Sequence, residues 1–232
     1  MADDPSGTGR RVYEENCIGC HGTRGDGNGD AAGNLLTKPR DFTRGMFKFK
    51  SSRGAMMPTD QDLINTLNNG IPLTAMPPFR LMTEPEKRAV IEYVKSFSDR
   101  WKDPQAYDTA PFVAGRIPAY VGTPVSIGKG EEIFKRCISC HGKTGKGDGT
   151  SAGDQMDTWG YHVRPRNFTY GMLKRGSRVE DIFTSITLGV GGTGMPAHET
   201  AYSENDRWNL VSYVLTIMGK VKYEVAAEDD DE

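Results

Sequence analysis

The chain has 232 residues, 36% of them hydrophobic, with a mean hydropathy of −0.57; the length suits one large domain or two small ones, and the polar balance leaves room for a bound group at the centre of the fold. Lys and Arg number 29 against 31 Asp and Glu, for a net charge of −2, so the basic excess that marks a nucleic-acid binder is missing. No apolar run of about 18 residues occurs, which excludes a transmembrane helix, and Met1-Ala2-Asp3-Asp4-Pro5 opens the chain without the apolar region of a signal peptide.

The first expected element is a helix around Val12 and Tyr13 that leads into Cys17-Ile18-Gly19-Cys20-His21. This C-x-x-C-H pentapeptide reads as a c-type haem attachment site. Residues three apart share a helix face, so Cys17 and Cys20 can both add to vinyl groups along one porphyrin edge, and His21 then meets the iron. Gly22, Gly25, Gly27, Gly29 and Gly33 make the next segment rich in turns. Within it Asp26-Gly27-Asn28-Gly29-Asp30 opens like a calcium loop but lacks the later Gly and Glu, so it is read as turns.

Pro39 and Arg40 follow. Arg40 is a candidate donor to a buried haem propionate, and Pro39 is expected to place a carbonyl that accepts the second ring N–H of the axial histidine. Thr59 and Asp62 fit the cap of a middle helix, and Thr83 and Glu86 the cap of a closing one, along which Ala89, Val90, Tyr93, Val94 and Phe97 keep helical spacing. Between the two, a loop from Gly70 to Pro77 carries Met76. A loop with Gly before and Pro after it can bring a thioether to an iron from the wall opposite the histidine, which makes Met76 the candidate distal ligand. Met57, followed by Pro58, is its rival in this half. Residues 101–124 hold four prolines without helical periodicity and are read as a linker.

From there the chain repeats itself. Cys137-Ile138-Ser139-Cys140-His141 is a second C-x-x-C-H and consumes the remaining cysteines; Ile133 and Phe134 precede it, with the aromatic one residue nearer than Tyr13 is to Cys17. Pro165-Arg166-Asn167-Phe168-Thr169 repeats Pro39-Arg40-Asp41-Phe42-Thr43 after six extra residues, and Met46 and Met172 correspond, as haem-wall packing. The loop from Gly189 to Pro196 repeats Gly70 to Pro77, so Met195 is the second distal candidate. Met57 has no such mate. His162 and His198 occur only in this half; His198, three residues after Met195, is the competing ligand, and both are surface histidines by default. Ser203 and Asp206 fit the final cap, and Tyr213 matches Tyr93, both expected against the haem-bearing helix. The chain ends in five acids, Glu228 to Glu232.

Other uses of four cysteines fit less well. A zinc ribbon sets its two pairs about 15–20 residues apart, and a thioredoxin-like pair sits in a βαβ unit. Disulfides leave the histidine after each pair without a reason.

These motifs resemble the tandem dihaem members of the class I cytochrome c family across nearly the whole chain, with an organisation similar to cytochrome c4. The resemblance implies an all-α fold of two tandem cytochrome c-like helical domains, 1–100 and 125–225, each wrapped around one covalent haem c, with the linker 101–124 between them and an acidic tail at 226–232. It implies two haem c groups held by Cys17, Cys20, Cys137 and Cys140, irons bound axially by His21, Met76, His141 and Met195, and surroundings that include Pro39, Arg40, Pro165 and Arg166. It further implies a periplasmic location, the export signal having been removed, and single-electron transfer between a redox protein donor and acceptor. With both faces of each iron ligated, no position is left for a substrate and no enzyme activity is expected. Two alternatives stay open: a dihaem enzyme of peroxidase or thiosulfate-oxidising type, and a haem subunit of a larger oxidoreductase, including a membrane complex.

Overall fold

The structure, a computed structural model, describes residues 7–221; the acidic tail expected at 226–232 lies outside the described residues. These residues hold eight α-helices joined by loops and short 3-10 turns. A single isolated antiparallel bridge, Met156 to His162, stands in place of any sheet. The fold is all-α, as expected. Within 7–221 it divides into two compact units, residues 7–113 with 190–196, and residues 114–189 with 197–221.

In the first unit α1 spans Thr8–Asn16, α2 Ile18–His21, α3 Asp60–Asn69 and α4 Glu84–Lys95. The caps read from the sequence are present. Thr59 accepts from the Asp62 amide while Asp62 takes the Thr59 amide, and Thr83 and Glu86 repeat the exchange with Pro85 in the first turn of α4. Each such cap stabilises its helix by about 1 kcal/mol. The α1 and α4 helices pack together, and Val12, Tyr13, Ile64, Leu67, Val90 and Ile91 form the buried core. Cys17, Ile18, Phe42, Met76, Phe79 and Phe97 pack against that same cluster. One hydrophobic core therefore brings together the attachment motif and the methionine loop.

The front of the stretch read as a linker is not free chain. Arg100 donates to the carbonyls of Gly45 (2.8 Å) and Ala55 (2.7 Å), the Met57 amide donates to Ala106 O (2.7 Å), and the Phe112 amide donates to Ser51 O (2.8 Å). Residues 99–113 thus close over the loop 45–58 of their own unit. The stretch lacks helical periodicity because hydrogen bonds to a neighbouring loop, rather than a helix ladder, satisfy its backbone.

In the second unit α5 spans Pro124–Phe134, α6 Ile138–His141, α7 Val179–Leu188 and α8 Glu204–Ile217. Thr123 caps α5, with Pro124 at the first helical position, where a missing N–H costs nothing. The α5 and α8 helices cross closely at Gly130, where an added Cβ would lie 2.0 Å from the Asn209 carbonyl. Beside that crossing, Ser126 Oγ reaches Asn209 Oδ1 at 2.8 Å and Ser212 Oγ at 2.7 Å, so the buried polar groups are paired. Phe183 and Trp208 stack at 3.7 Å and 6° in the core. The extra residues of this copy fold into a tight ribbon: the Val163 amide donates to Gln155 O at 2.9 Å, and Asp157 Oδ1 accepts from the amides of Trp159 and Tyr161.

Candidate functional site

Each C-x-x-C-H motif lies on a short helix that begins directly after its first cysteine and ends on its histidine. A left-handed glycine stops each one, Gly22 at φ 77° and Gly142 at φ 75°. The chain then doubles back: the Gly27 amide donates to His21 O at 2.9 Å, and the Gly147 amide to His141 O at 2.8 Å. No disulfide joins any of the four cysteines. Burial, and after it the neighbouring Cys20, pushes the Cys17 thiol up to about 11, and the same causes raise Cys137. A raised pKa disfavours the thiolate through which disulfide exchange runs.

His21 is buried, and its Nδ1 lies 2.9 Å from the Arg40 carbonyl. A carbonyl only accepts, so Nδ1 carries the proton and Nε2 keeps a free lone pair. Burial pulls the His21 pKa down, which the Arg40 carbonyl bond opposes and the Arg40 charge reinforces; the ring is neutral, as a metal ligand must be. Phe42 stacks on it at 4.5 Å and 18°. Pro39 does not supply the acceptor. Its carbonyl instead faces Gly27, where an added Cβ would lie 2.9 Å away, and the next carbonyl along, that of Arg40, turns to the ring.

The second copy repeats this arrangement with one difference. Phe168 stacks on His141 at 4.7 Å and 17°, and the Pro165 carbonyl faces Gly147. Burial lowers the His141 pKa, with a weaker opposing pull from the Arg166 backbone. Yet His141 Nδ1 is buried without a hydrogen-bond partner among the described residues, so the Arg166 carbonyl is near but not within bonding geometry. The Arg166 side chain donates through Nε to Met172 O (3.0 Å) and lies over the Tyr170 ring, while its Nη2 is buried and unpartnered.

The two methionine loops share one internal hydrogen-bond pattern. The Met76 carbonyl accepts from the Ile71 amide (3.0 Å) and the Met76 amide donates to Thr74 Oγ1 (3.1 Å), while Thr74 Oγ1 donates to Ile71 O. Met195, Val190 and Thr193 repeat each of these, at 3.1 and 3.2 Å for the first two. At the third loop position copy one has Leu73 with φ 64°, where copy two has Gly192. Met57 is fully buried against Ala106 and stands outside the core cluster that holds Cys17 and Met76. His198 is half-buried, with its amide tied to Ile186 O and Thr187 O and its ring tilted on Tyr202; burial lowers its pKa. His162 forms the ribbon's bridge.

The residues fit haem c. Two cysteine thiols, a neutral imidazole with one nitrogen committed, and buried donors lacking acceptors make a cradle for a porphyrin with vinyl groups, an iron and carboxylates. The sequence reading missed the stacking rings Phe42 and Phe168, although both stand in the repeated Pro-Arg-Asp/Asn-Phe block, and it missed Trp101, whose indole N–H is also buried and unpartnered.

Comparison with known proteins agrees. The family model described as cytochrome C oxidase, cbb3-type, subunit III matches residues 5–94, and that described as cytochrome c matches residues 127–218. A chain of the Kuenenia stuttgartiensis reducing HAO-like protein complex Kustc0457/Kustc0458 is similar in structure, with a TM-score of 0.83 and 33% sequence identity over 93% of this chain and 96% of that one. Comparison with curated proteins gave no match. Two haem-binding units in series, matched by cytochrome models in both halves and by a relative over nearly the full length, show that the chain belongs to the dihaem class I c-type cytochromes, with two covalently bound haem c groups.

Proposed function

We propose that the protein passes single electrons as a haem-bearing partner of a larger oxidoreductase, with His21 and Met76 as axial ligands of one haem and His141 and Met195 as those of the other. When bound, haem c supplies a one-electron iron couple. The chain's own residues hold that couple in place. Cys17, Cys20, Cys137 and Cys140 tether it, and the Arg40 carbonyl fixes the His21 ring so that Nε2 is the ligating nitrogen. Thr74 and Thr193 tie down the backbone on which each thioether is carried. The Arg166 guanidinium is offered to a propionate in the second unit.

The observation that carries the reading is the repetition of one methionine-loop hydrogen-bond pattern in both copies. Core-filling methionines have no need of a shared loop geometry, whereas a ligand must be placed to within a fraction of an ångström. Saturating both irons leaves neither open to a substrate, which favours transfer over peroxidase or thiosulfate chemistry. A lasting partner is favoured over a free shuttle because the similar solved chain comes from a reducing HAO-like protein complex. The periplasm is the proposed compartment, in keeping with covalent haem c.

An optical and EPR titration of the intact protein tests this. Two low-spin centres with the methionine–iron absorption band are expected. A high-spin centre that takes up cyanide or peroxide overturns the ligand assignment, and a protein that stays monomeric beside every candidate multihaem oxidoreductase overturns the partner.

A further inference from the structure

We propose that the main-chain contact between Gly191 and Lys48 seats Met195, which makes Gly191 a positioning residue for the distal ligand of the haem bound by His141. The inference rests on the ligand reading above and adds to it a contact that the repeat does not carry.

The loop Gly70 to Pro77 aligns with Gly189 to Pro196, and its main ties recur. In each, the methionine carbonyl accepts from the residue after the opening glycine, and the methionine amide donates to the threonine hydroxyl. Just past each loop, the Phe79 amide donates to Leu67 O at 2.7 Å and the matching His198 amide to Ile186 O at 3.2 Å. The copies part at one position, Pro72 in the first and Gly191 in the second. Proline has no amide hydrogen to give. The Gly191 amide donates to Lys48 O at 3.2 Å.

This place also demands the smallest residue. A Cβ on Gly191 would run into the Phe47 carbonyl, a main-chain atom that cannot swing aside as a side chain can. Close approach of two backbones is a standing use of glycine. The loop 190–196 belongs to the same compact unit as Lys48, so the contact is internal to that unit.

The second loop needs an anchor more than the first. Where the first has Pro72, Leu73 and Ala75, the second has Gly191, Gly192 and Gly194, residues with more conformational freedom to lose on ordering. A ligating thioether tolerates little of that freedom. The anchor is itself braced, because the Phe47 ring lies near-parallel to Phe42 at 6.2 Å and meets Trp101 edge-on at 5.9 Å. Phe42 in turn stacks on His21. The segment that fixes Met195 is therefore packed onto the ring that ligates the other iron.

The test is made on the haem-loaded full chain. Gly191→Ala keeps the N–H and adds the one carbon that the Phe47 carbonyl excludes. In the reduced variant the ligated methyl resonance of Met195, assigned by its loss in Met195→Ala, should weaken or vanish while that of Met76 stays. In the oxidised variant cyanide affinity at one iron should rise by about tenfold, the weight of one lost hydrogen bond. A second measurement leaves Gly191 intact. Coupling between two sites is reciprocal, so breaking the Met195 ligation in Met195→Ala should speed hydrogen exchange at the Gly191 amide by a similar factor. A Gly191→Ala protein with both methionine signals and wild-type cyanide affinities overturns the proposal, as does one that loses Met76 instead. If Gly191→Ala fails to fold, the exchange rates decide, and equal rates in wild type and Met195→Ala overturn it. A wild type without two ligated methionine signals overturns the ligand reading instead.

Discussion

Tyr13 Oη donates a buried 2.8 Å hydrogen bond to the carbonyl of Gly22. It ties the helix ahead of the first haem motif to the turn that stops the helix bearing His21, and the second copy has no equivalent because Phe134 stands in that place. Tyr13 is also wedged between Tyr93 and Phe97, at 5.3 and 5.2 Å, so its ring is fixed by packing and its hydroxyl by one acceptor. Burial raises the Tyr13 pKa, keeping the hydroxyl a donor.

Replacing Tyr13 by Phe keeps the packing and leaves the Gly22 carbonyl with only its 3.2 Å bond from the Gly25 amide. The expected cost is about 0.5–1.5 kcal/mol, or a melting temperature lower by roughly 2–10 °C for a unit of this size. Thermal unfolding followed at the first haem's Soret region measures it. A loss below a few tenths of a kcal/mol means that water reaches Gly22 and that the tether is not closed.

Gly27 gives a second prediction. Its φ is 78°, and an added Cβ would fall 2.9 Å from the Pro39 carbonyl, one residue before the carbonyl that accepts from His21. In Gly27→Ala the Pro39–Arg40 segment must retreat, which weakens the His21 bond and lowers the basicity of the imidazole. A less basic ligand favours ferrous iron, so the first haem's reduction potential should rise. A potentiometric titration showing two unchanged midpoints would rule this out.

How far the sequence was legible follows from these cases. The attachment motifs and the three helix caps at Thr59, Thr83 and Ser203 were readable because their chemistry is fixed by residues a few positions apart. The cap of α7 was not, since Arg178 opens it and Asp181 takes both its amide and its guanidinium, a pairing outside the usual hydroxyl pattern. The helical fold followed from apolar spacing. What escaped was decided by distant parts of the chain: which of two adjacent carbonyls turns to His21, which rings stack on each histidine, and which donor is left bare at Trp101. The same holds for residues 99–113, whose order comes from hydrogen bonds to the loop 45–58 and leaves no periodic trace.

The methionines carry the third prediction. Met76→His and Met195→His should each lower one of the two midpoint potentials by on the order of 0.1 V, within the roughly 0.8 V span that axial ligands command, and leave the other in place. Met76→Ala should instead produce a high-spin centre that binds cyanide. Met57→Leu serves as the comparison: Met57 is buried outside the cluster that holds Cys17, so both potentials should stay where they were. If Met57→Leu opens an iron and Met76→Ala does not, the ligand assignment in the first unit is reversed.

The last prediction concerns acid. Asp108 anchors the segment 99–113 to the first unit: its Oδ2 accepts from the Arg53 amide at 2.9 Å and its Oδ1 from the Ala110 amide at 3.0 Å. These two amides, then the Arg53 charge, hold the carboxyl below its ordinary value, about 3.9 in an unfolded chain. Since the folded pKa is the lower one, the unfolded chain binds the proton more readily, and the stabilisation is complete only above the unfolded value. It is lost as pH falls through the folded pKa. Asp108→Asn removes the charge at every pH, so the variant should be less stable than wild type at pH 7, with the gap narrowing towards pH 3. Urea midpoints at the two pH values measure this directly. A gap that stays constant would show that the amide bonds survive equally well with a neutral side chain, and that the charge at Asp108 contributes nothing to holding the segment in place.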